Sequence, residues 1–207
     1  MFGSVLRNFL SFFLILIISL CIIIWWGVEK FEMPSDQVVE GTFLINPGDS
    51  FNTIAKNLSD KKYIDNPYIF KLGVLVTQSR KKLKYGEYEF PKKASMNDIL
   101  KLIVDGRTKV HKLIIPEGFS NYQIKERMIS EKLLSGKIET LLVEGSYAPQ
   151  TYLFSRGDKR NKFLTLMVEK QRVILDEAWR NRATDLPLNN KFEALILASI
   201  IEEEASS

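Results

Sequence analysis

The chain opens on an unbroken apolar run. Between Asn8 and Val28 no side chain is charged, and most positions are Phe, Leu or Ile. A helix needs about 20 such residues to cross a bilayer. A cleaved signal sequence has a shorter apolar core of about 7–15 residues and then a small-x-small site. The segment Ile24-Trp-Trp-Gly-Val-Glu-Lys-Phe-Glu32 holds no such site. The pattern therefore predicts an uncleaved anchor over residues 9–28, with a tail at 1–8. Trp25 and Trp26 stand where an interfacial aromatic belt belongs, and Arg7 flanks the other end. The positive-inside rule then puts the N-terminus in the cytoplasm and the bulk of the chain outside the inner (plasma) membrane. Residues 29–40 contain Pro34, Ser35 and Asp36 and no period, which predicts a linker.

After Glu40 the pattern shortens. A strand, a proline turn, a serine cap and a helix recur three times. Gly41 to Ser50 is followed by Phe51, Ile54, Ala55 and Leu58. Glu87 to Ser95 is followed by Met96, Ile99, Leu100 and Ile103. Lys112 to Ser120 is followed by Ile124 and Met128. Ser120 with Gln123 fits a capping box, and Ser95 with Asp98 is a looser version. Between the first two copies, Asn66-Pro67 opens a further helix. Residues 41–106 thus read strand, helix, helix, strand, helix, a small α+β module. Beyond Met128 a polar, helix-like stretch is predicted to Ser135-Gly136. Leu141 to Phe154 is aromatic, contains Gly145 and Pro149, and predicts a loop lining a groove. Asn161 to Arg182 predicts an amphipathic helix with Phe163, Leu166, Met167, Ile174 and Trp179 on one side. Asp185-Leu-Pro187 breaks it. The closing helix starts at Asn189 or Asn190 as cap. From Ala194 to Ile201 only Ser199 is polar, so a buried rod is predicted, tipped by Glu202, Glu203 and Glu204.

Composition removes several classes of function. The chain has 207 residues, a net charge of +4, one cysteine (Cys21) and one histidine (His111). One Cys and one His exclude an internal disulfide and a Cys/His metal cluster. Cys21 reads as a filler of the anchor, and His111 as a surface or packing residue. No phosphate-cradling glycine loop, dinucleotide fingerprint or Ser-His-Asp set is present. Basic residues are mixed with acids without aromatic strips, which argues against nucleic acid. Arg80, Lys81, Lys82 and Lys84 make a basic turn, read as a solvated loop or as attraction to an anionic wall polymer or lipid head groups. An acid beside aromatics suits glycan cleavage, because a glycosidic oxygen needs a proton donor to leave. The helix dipole and burial would both favour the protonated acid. Periodicity does not choose among the three glutamates, and composition alone favours a solvated fray at the chain end.

Several segments resemble the YceG-like endolytic murein transglycosylases. Leu195-Ile-Leu-Ala-Ser-Ile-Ile-Glu-Glu-Glu204 is similar to the family's Ala-Ser-Ile-Ile/Val-Glu-x-Glu motif. Pro116-Glu-Gly118 is similar to its Pro/Val-Glu-Gly turn. Glu144-Gly145 with Pro149-Gln-Thr-Tyr152 and Phe154 is similar to its Glu-Gly-x-x-x-Pro-Asp-Thr-Tyr segment, with Gln150 in place of the usual Asp. Lys84 to Phe90 and Leu186-Pro187 also match. The resemblance implies an α+β fold: a single transmembrane helix, a LysM-like module at 41–106, and a YceG-like catalytic domain over 107–207. It implies Glu204 as the catalytic acid and base, with Glu202, Glu144 and Tyr152 supporting the site or binding substrate. It implies no cofactor and no metal. The implied partners are peptidoglycan glycan strands, the membrane and peptidoglycan synthases. Members of the family continue past the position of Ser207, so the chain is expected to be an incomplete catalytic domain with little or no activity by itself. The competing expectation is a non-catalytic, membrane-tethered wall-binding module.

Overall fold

The computed structural model describes residues 2–139 and 143–205, with side chains from residue 9 onward. The chain divides between Lys109 and Val110 into two compact units.

The first unit begins with α1, Phe2–Glu32. Its stretch from Phe9 to Glu32 is long and apolar enough to span a membrane. The side chains from Phe9 to Trp26 are all exposed, as a lipid-facing helix requires. No break follows the apolar run. The helix carries on through Glu29 and Lys30, and Phe31 is buried in the core of the unit. The expected linker at 29–40 is therefore folded structure. Val38 is buried too, its carbonyl accepts the Lys93 N–H at 3.3 Å, and Asp36 pairs with Lys93 at 2.6 Å. Apolar Phe31 and Val38 have a core within reach, and that outweighs the turn-forming residues between them.

The module then runs β1 (Gly41–Ile45), α2 (Phe51–Asp60), α3 (Pro67–Val76), a one-turn 3-10 helix (Arg80–Lys82), β2 (Gly86–Phe90) and α4 (Met96–Asp105). This is the strand-helix-helix-strand-helix order that the periodicity predicts. Ser50, Asn66 and Ser95 cap α2, α3 and α4, and Ser95 closes a full capping box with Asp98. β1 and β2 pair antiparallel, with Phe43 opposite Tyr88. Phe43, Tyr63 and Phe90 meet edge-on or stacked at 5.2–6.0 Å between ring centres. Helices α2, α3 and α4 close this aromatic layer with Leu58, Phe70, Val74, Ile99 and Ile103, all fully buried.

The second unit runs β3 (Val110–Ile114), α5 (Asn121–Ser130), β4 (Thr151–Ser155), α6 (Arg160–Arg180) and α7 (Lys191–Ala205). Two expectations change here. Helix α5 stops at Ser130 rather than reaching Ser135, because Arg160 takes over its end. The Arg160 guanidinium donates to the carbonyls of Met128, Glu131 and Gly136 at 2.8 Å and of Ile129 at 3.4 Å. The expected aromatic loop holds a strand in its second half. β4 pairs antiparallel with β3, setting Leu113 against Tyr152 and His111 against Phe154. Leu141 and Leu142, where that loop begins, lie outside the described residues. Leu113, Tyr152, Phe154, Phe163 and Met167 form the core. Helix α6 buries Phe163, Leu164 and Met167, while Leu166 and Ile174 are exposed.

Candidate functional site

A groove of about 530 Å³ lies in the second unit. Three pieces of chain supply most of its lining: the turn Pro116–Ser120, the segment 143–149, and one face of α7, to which Ile124 of α5 and Gln171 of α6 add. Each is placed by local chemistry. Ser120 caps α5 with Gln123 in a capping box, which fixes where the 116–120 turn ends. Glu144 fastens the second wall, because its two carboxylate oxygens accept the Asn121 N–H at 2.9 and 3.1 Å. A carboxylate in that place also answers the positive end of α5. The walls approach closely at two glycines. Gly145 has φ +75°, and a Cβ there would lie 2.6 Å from the Leu195 Cδ2 atom of α7. Gly118 has φ +73°, and a Cβ there would lie 3.8 Å from the Glu202 Oε1 atom. At Gly145 the missing side chain is what lets α7 come this near; at Gly118 a Cβ would make only ordinary contact, and the left-handed backbone is what favours glycine.

Helix α7 is set by its own cap. Asn190 accepts the Glu193 N–H at 3.0 Å, while the Glu193 carboxylate accepts the Asn189 N–H at 2.7 Å. That settles the cap on Asn190. Lys191 pairs with Asp176 of α6, and the lysine's hydrogen bond holds the Asp176 carboxyl below its usual range. Yet no residue of α7 is buried, and Ile200 and Ile201 are 54% and 58% exposed. The expected buried rod is a docked but open helix. Only the face bearing Leu195, Ser199 and Glu202 meets the groove.

The four candidate residues separate. Glu202 and Glu144 both line the groove, Glu202 over Gly118 and Glu144 already engaged by backbone. Tyr152 lies in the core, its hydroxyl donating to the Ala148 carbonyl at 2.7 Å, and it lines no part of the groove. Burial pushes its phenol up to about 12. Glu204 follows two positions after Glu202, about 200° around the helix. It is exposed and is not part of the groove lining, whereas Glu203 is. Sequence reasoning also passed over Glu117, which brings another carboxylate to the groove, and Ser199, the single hydroxyl of the apolar run. The signals available were the Pro116-Glu-Gly118 turn for Glu117 and, for Ser199, its polarity among apolar neighbours. The aromatic contribution is Phe119, Tyr147 and Phe192 rather than Tyr152 and Phe154. Among the described residues no cluster of His, Cys, Asp and Glu could hold a metal ion.

The profile of the YceG-like family matches residues 43–207. A crystal structure described as a yceG-like protein from Listeria monocytogenes aligns at 25% identity with a TM-score of 0.38, covering 69% of this chain. The chain spans 57% of that protein's length. No curated protein matches. From Phe43 to its last residue, a span holding most of the first β-pair, all of the second and the residues that line the groove, this chain belongs to the YceG-like family.

Proposed function

We propose that the chain is a membrane-anchored endolytic transglycosylase of peptidoglycan, or the part of one that carries the acid. The observation that carries this reading is the carboxylate-tipped helix α7 laid along a groove in a YceG-like chain. The anchor is α1, with its N-terminus on the cytoplasmic side and the two units facing the wall. The reaction is non-hydrolytic. A protonated Glu204 gives its proton to the oxygen joining C1 of N-acetylmuramic acid to N-acetylglucosamine, and that bond to C1 breaks. The resulting carboxylate takes the proton of the muramic 6-hydroxyl, whose oxygen closes onto C1. The products are a 1,6-anhydro end and a free 4-hydroxyl, with the glutamic acid restored. No water is consumed and no second carboxylate nucleophile is needed, unlike in two-acid glycosidases. Glu202 supports the site over Gly118, and Glu144 holds the groove wall to α5.

General-acid work calls for a carboxyl shielded from water. Glu202, Glu203 and Glu204 are all exposed. For Glu204 to reach a strand in the groove, α7 must roll by about half a turn, which breaks the Leu195 contact with Gly145 and the Lys191 pair with Asp176. The 207-residue chain by itself is therefore expected to turn over little. The test is muropeptide analysis of sacculi incubated with the detergent-purified protein. Traces of anhydro-muropeptides that vanish in Glu204→Gln support the reading. Abundant anhydro product that vanishes in Glu204→Gln keeps the chemistry and refutes the low turnover. Hydrolysed reducing ends overturn the reaction, and loss in Glu202→Gln with retention in Glu204→Gln moves the acid to Glu202.

A second reading is favoured by that same exposure of α7: a wall-binding module without turnover, using residues 41–106 as a LysM-like unit. Co-sedimentation of the protein with sacculi, together with absence of any cleavage product, distinguishes it.

A further inference from the structure

Helix α3, Pro67–Val76, is short and carries one charge, Lys71, in ten residues. Phe70 and Val74 point into the core and account for one face. The opposite face is apolar and open: Tyr68 is 74% exposed, Leu72 62%, Leu75 51% and Val76 81%. A soluble module gains nothing by leaving four large apolar side chains of one helix in water.

The position of α3 relative to α1 says what covers them. The Phe31 ring sits directly on Gly73, where a Cβ would lie 2.3 Å from Phe31 Cε2. Gly73 is in the middle of α3, and α1 runs without interruption from its apolar stretch to Glu32. The uncharged run ends at Val28. Phe31 is three residues further, about 4.5 Å along the axis at the α-helical rise. Trp25 and Trp26 mark the same boundary from below. With α1 across a bilayer, the centre of α3 is therefore held within about 5 Å of the hydrocarbon edge, at the depth of the head groups. Beyond α3 follow the exposed Lys81 and Lys82 of the 3-10 turn, with Arg80 and Lys84 beside them. Basic residues near a membrane surface are attracted to anionic lipid.

We propose that α3 is a second membrane contact: its Tyr68, Leu72, Leu75 and Val76 face enters the outer interface of the bilayer that α1 spans, with the 80–84 basic turn on the lipid phosphates. An apolar helix face beside cationic residues is the chemistry of an interfacial helix. Phe31 in Gly73 then makes anchor and α3 one rigid footing, so the first unit stands on the membrane at a set height. This rests on α1 being a membrane anchor.

The test uses the full chain in lipid nanodiscs containing phosphatidylglycerol, in a Cys21→Ser background that removes the only native cysteine. A single cysteine carrying an environment-sensitive fluorophore is placed at Leu72, Val76, Ile17 or Ser59, the last on α2. The labels at Leu72 and Val76 should emit to the blue of the label at Ser59. They should also lose more of their emission to spin-labelled lipid than the label at Ser59, since an interfacial helix buries its apolar face about 5–10 Å into the head-group boundary. Quenching at Ile17 with water-like emission at Leu72 and Val76 overturns the proposal and leaves the anchor standing. No quenching at Ile17 overturns both. A blue shift at Leu72 and Val76 in native membranes only, absent in nanodiscs, assigns the face to a protein partner and overturns the lipid contact. Circular dichroism of each variant confirms that it is folded. Two label sites guard against one that perturbs α3.

Discussion

At the scale of the residue, few side chains decide how the second unit closes, and Arg160 is foremost among them. One planar guanidinium serves four carbonyls from α5 and the turn after it. Hydrogen bonds from a charged donor are worth about 1.5–3 kcal/mol singly and do not add simply. Arg160→Ala should therefore destabilise the unit by about 2–3 kcal/mol in a denaturant titration. Arg160→Lys should recover little of it, since an ammonium cannot fork to several fixed acceptors. Two tyrosines make a pH prediction. Burial pushes the phenols of Tyr88 and Tyr152 up to about 12. The Tyr88 hydroxyl donates to the carbonyls of Lys84 at 2.9 Å and Ile103 at 3.3 Å, so its proton is needed in the fold. Both phenols hold their protons longer folded than unfolded. Their contribution is complete below the unfolded value of about 10 and is lost as pH rises through about 12. Melting temperature measured against pH should fall over that window, and less steeply in Tyr88→Phe and Tyr152→Phe. Nothing in the sequence marked Arg160. Its partners are backbone atoms, which every sequence has.

Among the elements, α7 is held by edges rather than by burial. Its fixings are the Asn190 cap, the Lys191 pair with Asp176, and Leu195 against Gly145. Gly145→Ala sets a Cβ into left-handed backbone and into Leu195. The backbone term alone costs about 1–2 kcal/mol. Amide exchange of α7 should quicken roughly tenfold for each 1.4 kcal/mol lost, with α5 and β3 little changed. Asp176→Asn should act in the same direction. In the parent chain that pair weakens as pH falls, because the carboxyl held low by Lys191 stabilises only while ionised. Helices α2 to α5 were legible in advance. Caps are local, so Ser50, Asn66, Ser95 and Ser120 announce where each begins. Strand β4 was not legible as a strand. Tyr152 and Phe154 alternate with Leu153, but the alternation covers five residues and any aromatic loop could carry it. Pairing with β3 is a long-range event and leaves no mark nearby.

For the molecule as a whole, α1 and the rest of the first unit are one object. A Cβ at Gly73 would sit 2.3 Å from the Phe31 ring. Overpacking of that kind costs about 1–3 kcal/mol, against about 1 kcal/mol gained by replacing a helical glycine. Gly73→Ala should be net destabilising and should raise protease cleavage within residues 29–40 of the reconstituted protein, with the sites read by mass spectrometry. The sequence by itself determined the apolar span, the caps, the order of elements in the first unit and the motif that carries the family. These rest on periodicity and on interactions within a few residues. Tertiary structure decided the rest: that residues 29–40 fold back as Phe31 and Val38 enter a core, that Tyr152 belongs to a sheet rather than to the groove, and that Glu202 faces Gly118 while Glu204 turns outward. An apolar helix has no preferred face of its own. Which side of α7 meets the protein is set by contacts such as Leu195 against Gly145, and that glycine lies 50 residues away along the chain.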